Sequence, residues 1–159
     1  MKSSSLLFGV MSGTSLDGID VVLVDMCDNK INIIDFQHRP YSAEIHSKIL
    51  TLHSPGFNEL EESIFLSKSH AKITANCINS ILKKQNINPK KIQAIGYHGQ
   101  TLRHNPDAEY SIQIGDSHLL SELTEITVVS DFRNRDLVAG GQGAPLVPAF
   151  HKEIFSSKY

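Results

Sequence analysis

The stretch GVMSGTSLDGIDVVLVD, Gly9 to Asp25, sets three hydroxyls, a carboxylate and two glycines between two apolar runs. A tight hairpin needs only about two turn residues. The connection from Ser12 to Gly18 is longer than chain reversal requires. Glycines admit backbone conformations that aim N–H groups at an anion. Thr14 and Ser15 add hydroxyl donors, and Asp17 or Asp20 could hold Mg²⁺, directly or through water. The chemistry on offer is phosphate binding. A long polar hairpin turning at Asp17-Gly18 is the alternative that residue types alone leave open. The stretch is not a Walker A loop, because it lacks the Gly-Lys-Ser/Thr ending and runs into a strand pattern. GTSLDG also misses the G-x-S-x-G nucleophile spacing by one residue.

Two further segments carry polar chemistry. In YHGQTLRHNP, Gln100 and Thr101 can hydrogen-bond the hydroxyls or amide of a small polar ligand. His98 can donate or accept there, and Arg103 can clamp an anion. His98 and His104 have no third ligand nearby, which argues against a metal site. In DFRNRDLVAGGQGAP, Arg133 and Arg135 lie close to Asp131 and Asp136. The guanidinium fork suits a carboxylate or phosphate. Pairing with the two aspartates as a structural network fits the same spacing. GGQGAP is permissive backbone, for a ligand or merely for a turn.

The elements that must position these segments follow from apolar patterning. Leu6–Met11 and Ile19–Met26 read as buried strands, Asp28–Lys30 as a turn and Ile31–Arg39 as a third strand. Ser42 is a candidate N-cap for a helix through SAEIHSKILTL, broken by Ser54-Pro55-Gly56. A long amphipathic helix is predicted from Asn58 to about Lys84, with Leu60, Ile64, Ala71, Ala75, Ile78 and Leu82 on one face. A buried strand at Ile92–Ile95 is predicted to end in a loop over Tyr97–Asn105. EYSIQIG is a weak strand, and DSHLLSELT a helix capped by Asp116 or Ser117. Ile126–Ser130 is a strand, Asp131–Gly143 a loop, and a last helix starts near Pro148. The order predicts an α/β fold: a three-strand antiparallel meander, then strand–helix alternation, in a mixed sheet with helices on both faces. Ligand loops in such sheets sit at strand ends. The loops Ser12–Gly18, Tyr97–Asn105 and Asp131–Gly143 are therefore expected to converge on one edge.

A chain of 159 residues with 40% hydrophobic content can build one core. Its net charge of −2 and scattered basic residues argue against nucleic acid or an anionic membrane as partner. Two cysteines, Cys27 and Cys77, make no disulfide framework, so a cytoplasmic location is expected. The run Leu6–Met11 is too short and too interrupted for a signal peptide, and no apolar stretch approaches a membrane span.

Together, GVMSGTSLDGIDVVLVD, AIGYHGQTLRHNP, SIQIGD and DFRNRDLVAGGQGAPLVPAFH resemble the first half of the anhydro-N-acetylmuramic acid kinase family, from about Leu6 to His151. That family sits in the superfamily of sugar kinases, acetate kinase and actin. The resemblance implies a ribonuclease-H-like (actin-like ATPase) lobe that opens with a β-β-β meander. It implies ATP and Mg²⁺ as cofactors and 1,6-anhydro-N-acetylmuramic acid from peptidoglycan recycling as the sugar substrate, converted to N-acetylmuramic acid 6-phosphate. Gly13, Thr14, Ser15, Leu16, Asp17, Gly18, Ile19 and Asp20 match the family's ATP-binding stretch, with Asp17 or Asp20 toward the metal. His98, Gln100, Thr101, Asp131, Arg135 and Asp136 fall on the sugar side, with Arg135 toward the lactyl carboxylate, held by Asp131 or Asp136. Family members are roughly twice as long. The resemblance therefore makes residues 1–159 a single N-terminal lobe, with the general-base aspartate in the second lobe and no catalytic residue here. Such a lobe is expected to be inactive alone and to need a complementary C-terminal lobe, with a homodimer as a further option. A non-catalytic phosphate- and sugar-binding module, or a degenerate remnant of the kinase, is the alternative.

Overall fold

The computed structural model describes residues 4–27 and 30–156. The meander is β1 (Ser4–Ser12), β2 (Gly18–Cys27) and β3 (Lys30–Pro40), paired antiparallel in sequence. Asp28 and Asn29 of the predicted turn lie outside the described residues. Helices α1 (Ala43–Thr51) and α2 (Glu59–Gln85) follow. Next come β4 (Ile92–Asn105), β5 (Tyr110–Ile114), α3 (Ser117–Thr124), β6 (Val128–Ser130), α4 (Phe132–Val138) and α5 (Pro148–Phe155). The strand order is β3-β2-β1-β4-β5, with β6 also on β4. β4 runs parallel to β1, and β6 parallel to β4. This is the mixed sheet of the ribonuclease-H-like expectation.

One sheet face carries the core. Phe8 and Val10 of β1, Ile19, Val21 and Leu23 of β2, and Ile95 and Tyr97 of β4 pack against Ala71, Ala75, Ile78 and Leu82 of α2. The alternate residues face the other way. There a Cβ added to Gly96 would stand 3.7 Å from the Phe132 ring, so α4 reaches the opposite face and helices do occupy both. Ser42 caps α1 by accepting from the Ile45 N–H at 3.3 Å, and Asp116 caps α3 through the Leu119 N–H at 2.9 Å.

Three sequence expectations need correction. Tyr97–Asn105 is not a loop: β4 runs unbroken to Asn105, because β5 pairs with its second half and gives those backbone groups ladder partners. Within Asp131–Gly143, Phe132–Val138 is helix α4 and only the remainder is turn. Leu60 and Ile64 do not share the buried face of α2. They are 78% and 54% exposed, because the first turns of α2 extend beyond the sheet core.

A second, smaller core lies beneath the β1–β2 connection. Leu16 is 4% exposed and packs with Ile49, Leu52, Leu66, Leu102 and Ile114. Its positive φ of 56° lets the turn reverse while the side chain points inward. Leu16→Ala should lower stability by about 2–4 kcal/mol through lost burial and the cavity left behind. A urea midpoint with an unchanged m-value would measure it.

Candidate functional site at the edge of the parallel strands

β1, β4 and β6 are parallel, so Ser12 at the end of β1 and Ser130 at the end of β6 point to the same side of the sheet. Beyond Ser12 the backbone closes one turn, with the Leu16 N–H donating to the Gly13 carbonyl at 3.2 Å. Leu16 and Ile19 are buried, while Thr14, Ser15, Asp17 and Asp20 are exposed. The matched stretch thus divides into an inward anchor and an outward polar rim. Among the described residues the backbone N–H groups of Thr14 and Ser15 have no intramolecular acceptor. Gly18 is required on steric grounds: a Cβ there would collide with the Arg39 carbonyl.

The rim has its own order. The Ser15 hydroxyl donates to Asp17 Oδ1 at 2.9 Å, and that hydrogen bond holds the Asp17 carboxyl below its ordinary range. Asp20 is 2.7 Å from His38 Nδ1 across the β2–β3 ladder. Among the described residues no three His, Cys, Asp or Glu side chains gather to hold a metal. A cation here would depend on one aspartate, water and the oxygens of its ligand.

The turn is tied to β4 and α2 from behind. Gln100 is wholly buried; its Nε2 donates to the Gly13 carbonyl at 3.0 Å, and its Oε1 accepts from the Tyr41 hydroxyl at 3.1 Å. The Ser12 hydroxyl donates to the Gly99 carbonyl at 2.8 Å and lies 3.1 Å from His70 Nε2. His70 Nδ1 is 2.6 Å from the Tyr97 hydroxyl.

The second functional segment meets the first at the same carbonyl. His98 Nδ1 is 2.6 Å from the Gly99 oxygen, and its Nε2 accepts from Arg133 Nε at 3.0 Å. Arg133 Nη1 also donates to the Gly143 carbonyl at 2.7 Å. Burial, with the Arg133 charge close by, holds the His98 pKa below its ordinary value.

These bonds show where the structure places the expected site residues. Gln100 and His98 have their polar atoms committed to partners within the protein. Thr101 is 7% exposed, and its hydroxyl lacks a partner. Asp136 does not pair with Arg135: its Oδ2 accepts the Gly143 N–H at 2.8 Å and closes the glycine turn. Asp131 accepts from Asn134 Nδ2 at 2.7 Å instead. Arg135 is exposed and makes no ion pair among the described residues. It borders an open concavity with Phe132, Asp136, Ala139 and Leu146. A free guanidinium beside apolar surface can bind a carboxylate or a phosphate.

The sequence model of the family described as anhydro-N-acetylmuramic acid kinase matches residues 5–159. The chain belongs to that family. A relative of that name from Pseudomonas syringae pv. syringae is 50% identical over 147 residues, covering 92% of this chain and 40% of its own length. Those from Pseudomonas fluorescens and Nitrosomonas europaea are 46% and 48% identical, covering 97% and 94% of this chain and 42% of theirs. This member of the anhydro-N-acetylmuramic acid kinase family therefore spans about 40% of the length of the curated relatives it matches. Two Ppx/GppA structures from Aquifex aeolicus overlap 81% of the chain at TM-scores of 0.35 and 0.36, a likeness too low to bear on fold or function. No helix among the described residues is long and apolar enough to cross a membrane.

The residues that sequence reasoning missed as network members are Ser12, His70 and Tyr97, while Arg133 bonds His98 and Gly143 rather than an aspartate. His70 was masked by its place on the apolar face of a long helix. The signal was a polar side chain recurring with the buried positions Thr74 and Ala71.

Burial pushes the His70 pKa from 6.5 down to about 3. The unfolded chain therefore takes up a proton that the folded chain refuses. This stabilisation is complete above pH 6.5 and is lost as pH falls toward 3, at about 1.4 kcal/mol per pH unit. The lowered His98 pKa acts in the same direction. The melting temperature should fall from pH 7 to pH 5, and His70→Gln should flatten that slope. Parallel slopes would refute the assignment.

Proposed function

We propose that this chain is the phosphate- and sugar-facing lobe of an ATP- and Mg²⁺-dependent kinase. Its reaction opens 1,6-anhydro-N-acetylmuramic acid with water and phosphorylates it, giving N-acetylmuramic acid 6-phosphate and ADP. The observation that carries this reading is the Gly13–Ser15 rim. Its unpaired N–H groups and exposed hydroxyls stand at the carboxyl end of a parallel strand, where α/β sheets bind ligands. Family membership supplies the substrate class.

Within this reading the backbone of Thr14 and Ser15, with the Thr14 hydroxyl, donates to phosphate oxygens. Asp17, ionised and oriented by Ser15, faces the cation, with Asp20 the second candidate. Mg²⁺, when bound, neutralises charge on the phosphates. On the other side, Arg135 takes the lactyl carboxylate, and Asp131 accepts a sugar hydroxyl. Gln100, His98 and Asp136 hold these segments in place rather than touching the ligand. Phosphoryl transfer needs positioning and charge stabilisation from both sides of the transferred group. This chain supplies one side. In this reading no residue of this chain activates water, and that role is assigned to an aspartate of the second lobe. Use of ATP places the reaction in the cytoplasm.

A coupled ADP-release assay with ATP, Mg²⁺ and the anhydro sugar tests the reading. The chain alone should be silent, and addition of the remaining C-terminal part of a related kinase should restore turnover. Turnover by the chain alone would overturn the missing-base assignment. Silence in the mixture, from a folded chain that still binds Mg·ATP, would favour a binding-only module.

In the restored enzyme, Thr14→Ala with Asp17→Ala should raise KM for ATP. Arg135→Ala should raise KM for the sugar about 10- to 100-fold, as expected for loss of a charge-assisted hydrogen bond. Unchanged constants would remove these assignments.

A further inference from the structure

Ser12, His70, Tyr97 and Gly99 come from β1, α2 and β4, yet they form one continuous hydrogen-bonded chain inside the core. The Ser12 hydrogen bond to Gly99 sets its direction. A serine hydroxyl has one hydrogen. Ser12 gives it to the Gly99 carbonyl at 2.8 Å. At the 3.1 Å contact with His70, the Ser12 oxygen must therefore accept, so Nε2 carries the imidazole hydrogen. Nδ1 is then bare and accepts from the Tyr97 hydroxyl at 2.6 Å. One neutral tautomer satisfies every member. With the Ser12 hydrogen on the Gly99 carbonyl, the Nδ1–H tautomer would leave two lone pairs facing each other at Ser12.

This chain ends where the outward rim begins. Ser12 directly precedes Gly13, whose carbonyl accepts from both Gln100 and Leu16. His70 touches none of the exposed rim residues. It is 2% exposed and packs against the rings of Tyr41 and Tyr97.

We propose that His70 is a positioning residue for the Gly13–Ser15 turn: as the Nε2–H tautomer it fixes the Ser12 oxygen between α2 and β4 and so sets the direction in which the turn leaves the sheet. The inference deepens the phosphate-binding reading of that turn and rests on it for its functional meaning. The geometry that it asserts is tested independently.

Four variants of the chain separate the possibilities. Glutamine places its amide N–H near the position of Nε2, whereas asparagine reaches only the position of Nδ1. His70→Gln should therefore keep the bond to Ser12, and His70→Asn should lose it. Ser12→Ala breaks the same bond from the other end, and Ser12→Ala with His70→Asn completes a cycle.

The first readout is hydrogen exchange at the Leu16 amide, which closes the turn. His70→Asn and Ser12→Ala should each speed it by about tenfold or more, and the double variant no further, while His70→Gln stays near wild type. The core amide of Ile95, bonded to Thr127, serves as the internal control for general destabilisation. Equal exchange in all variants, equal acceleration at Ile95, or additive effects in the double variant would each overturn the proposal. Imidazole ¹⁵N shifts provide a second readout, and an Nδ1–H tautomer for His70 would also overturn it.

Titration of the same proteins with Mg·ATP then separates the two claims. Weaker binding by His70→Asn, with Gln rescue, carries the positioning through to the ligand. Absence of binding by the wild type would refute the phosphate reading, and the exchange data would still decide the role of His70.

Discussion

The carbonyl of Gly99 is where the two functional segments are joined. It accepts the Ser12 hydroxyl from one side and His98 Nδ1 from the other. The Gly13–Ser15 turn hangs from the first bond, and the α4 segment from the second through Arg133. The carbonyl is available because β4 departs from regular pairing there. Gly99 has φ of 68°, and the register with β1 shifts between Val10 and Ser12. Any side chain at this position would bring its Cβ to 2.5 Å from the Ile114 carbonyl. A β-bulge at the rim of a sheet is a recurring way to redirect polar groups at a site.

The sheet beneath the bulge is built so that this edge is stiff. The parallel pairing of β1 with β4 aligns Ser12 with Gln100 and leaves both at the same edge. α2 then crosses the core face and delivers His70 from behind. Buried polar groups gain from such an arrangement only when each is satisfied. The Tyr97–His70–Ser12–Gly99 chain meets that condition with neutral groups, which avoids the desolvation cost of a buried charge. The backbone N–H groups of Thr14 and Ser15 are left unpaired at the rim, where water or a ligand can complete them.

Several candidate residues have hydrogen-bond partners far away in sequence. Gln100 bonds Tyr41 and Gly13, 59 and 87 positions away. His98 bonds Arg133 across 35 positions. Residue type states what a side chain can donate or accept, but not which neighbour takes it. Arg135 and Asp136 illustrate the same point within a single helix turn. Their spacing fits an ion pair, yet the fold turns Asp136 to the Gly143 N–H and leaves Arg135 in solvent.

By itself, the sequence determined the meander, the helix cap at Ser42, a cap for α3 at Asp116 or Ser117, the core face of α2 from Ala71 onward, and the resemblance that names the family. Those features rest on local periodicity and local hydrogen bonding, which neighbouring residues specify. The tertiary structure alone decided that Tyr97–Asn105 is a strand, since Tyr97 pairs with β1 and β6 and Gln100–Asn105 with β5. It also decided which polar residues of the site face inward. A helix histidine amid apolar positions looks like packing until the sheet brings Ser12 and Tyr97 to its two nitrogens, 58 and 27 positions away. Burial then removes the competing water, and only the geometry of the assembled core fixes where its proton resides.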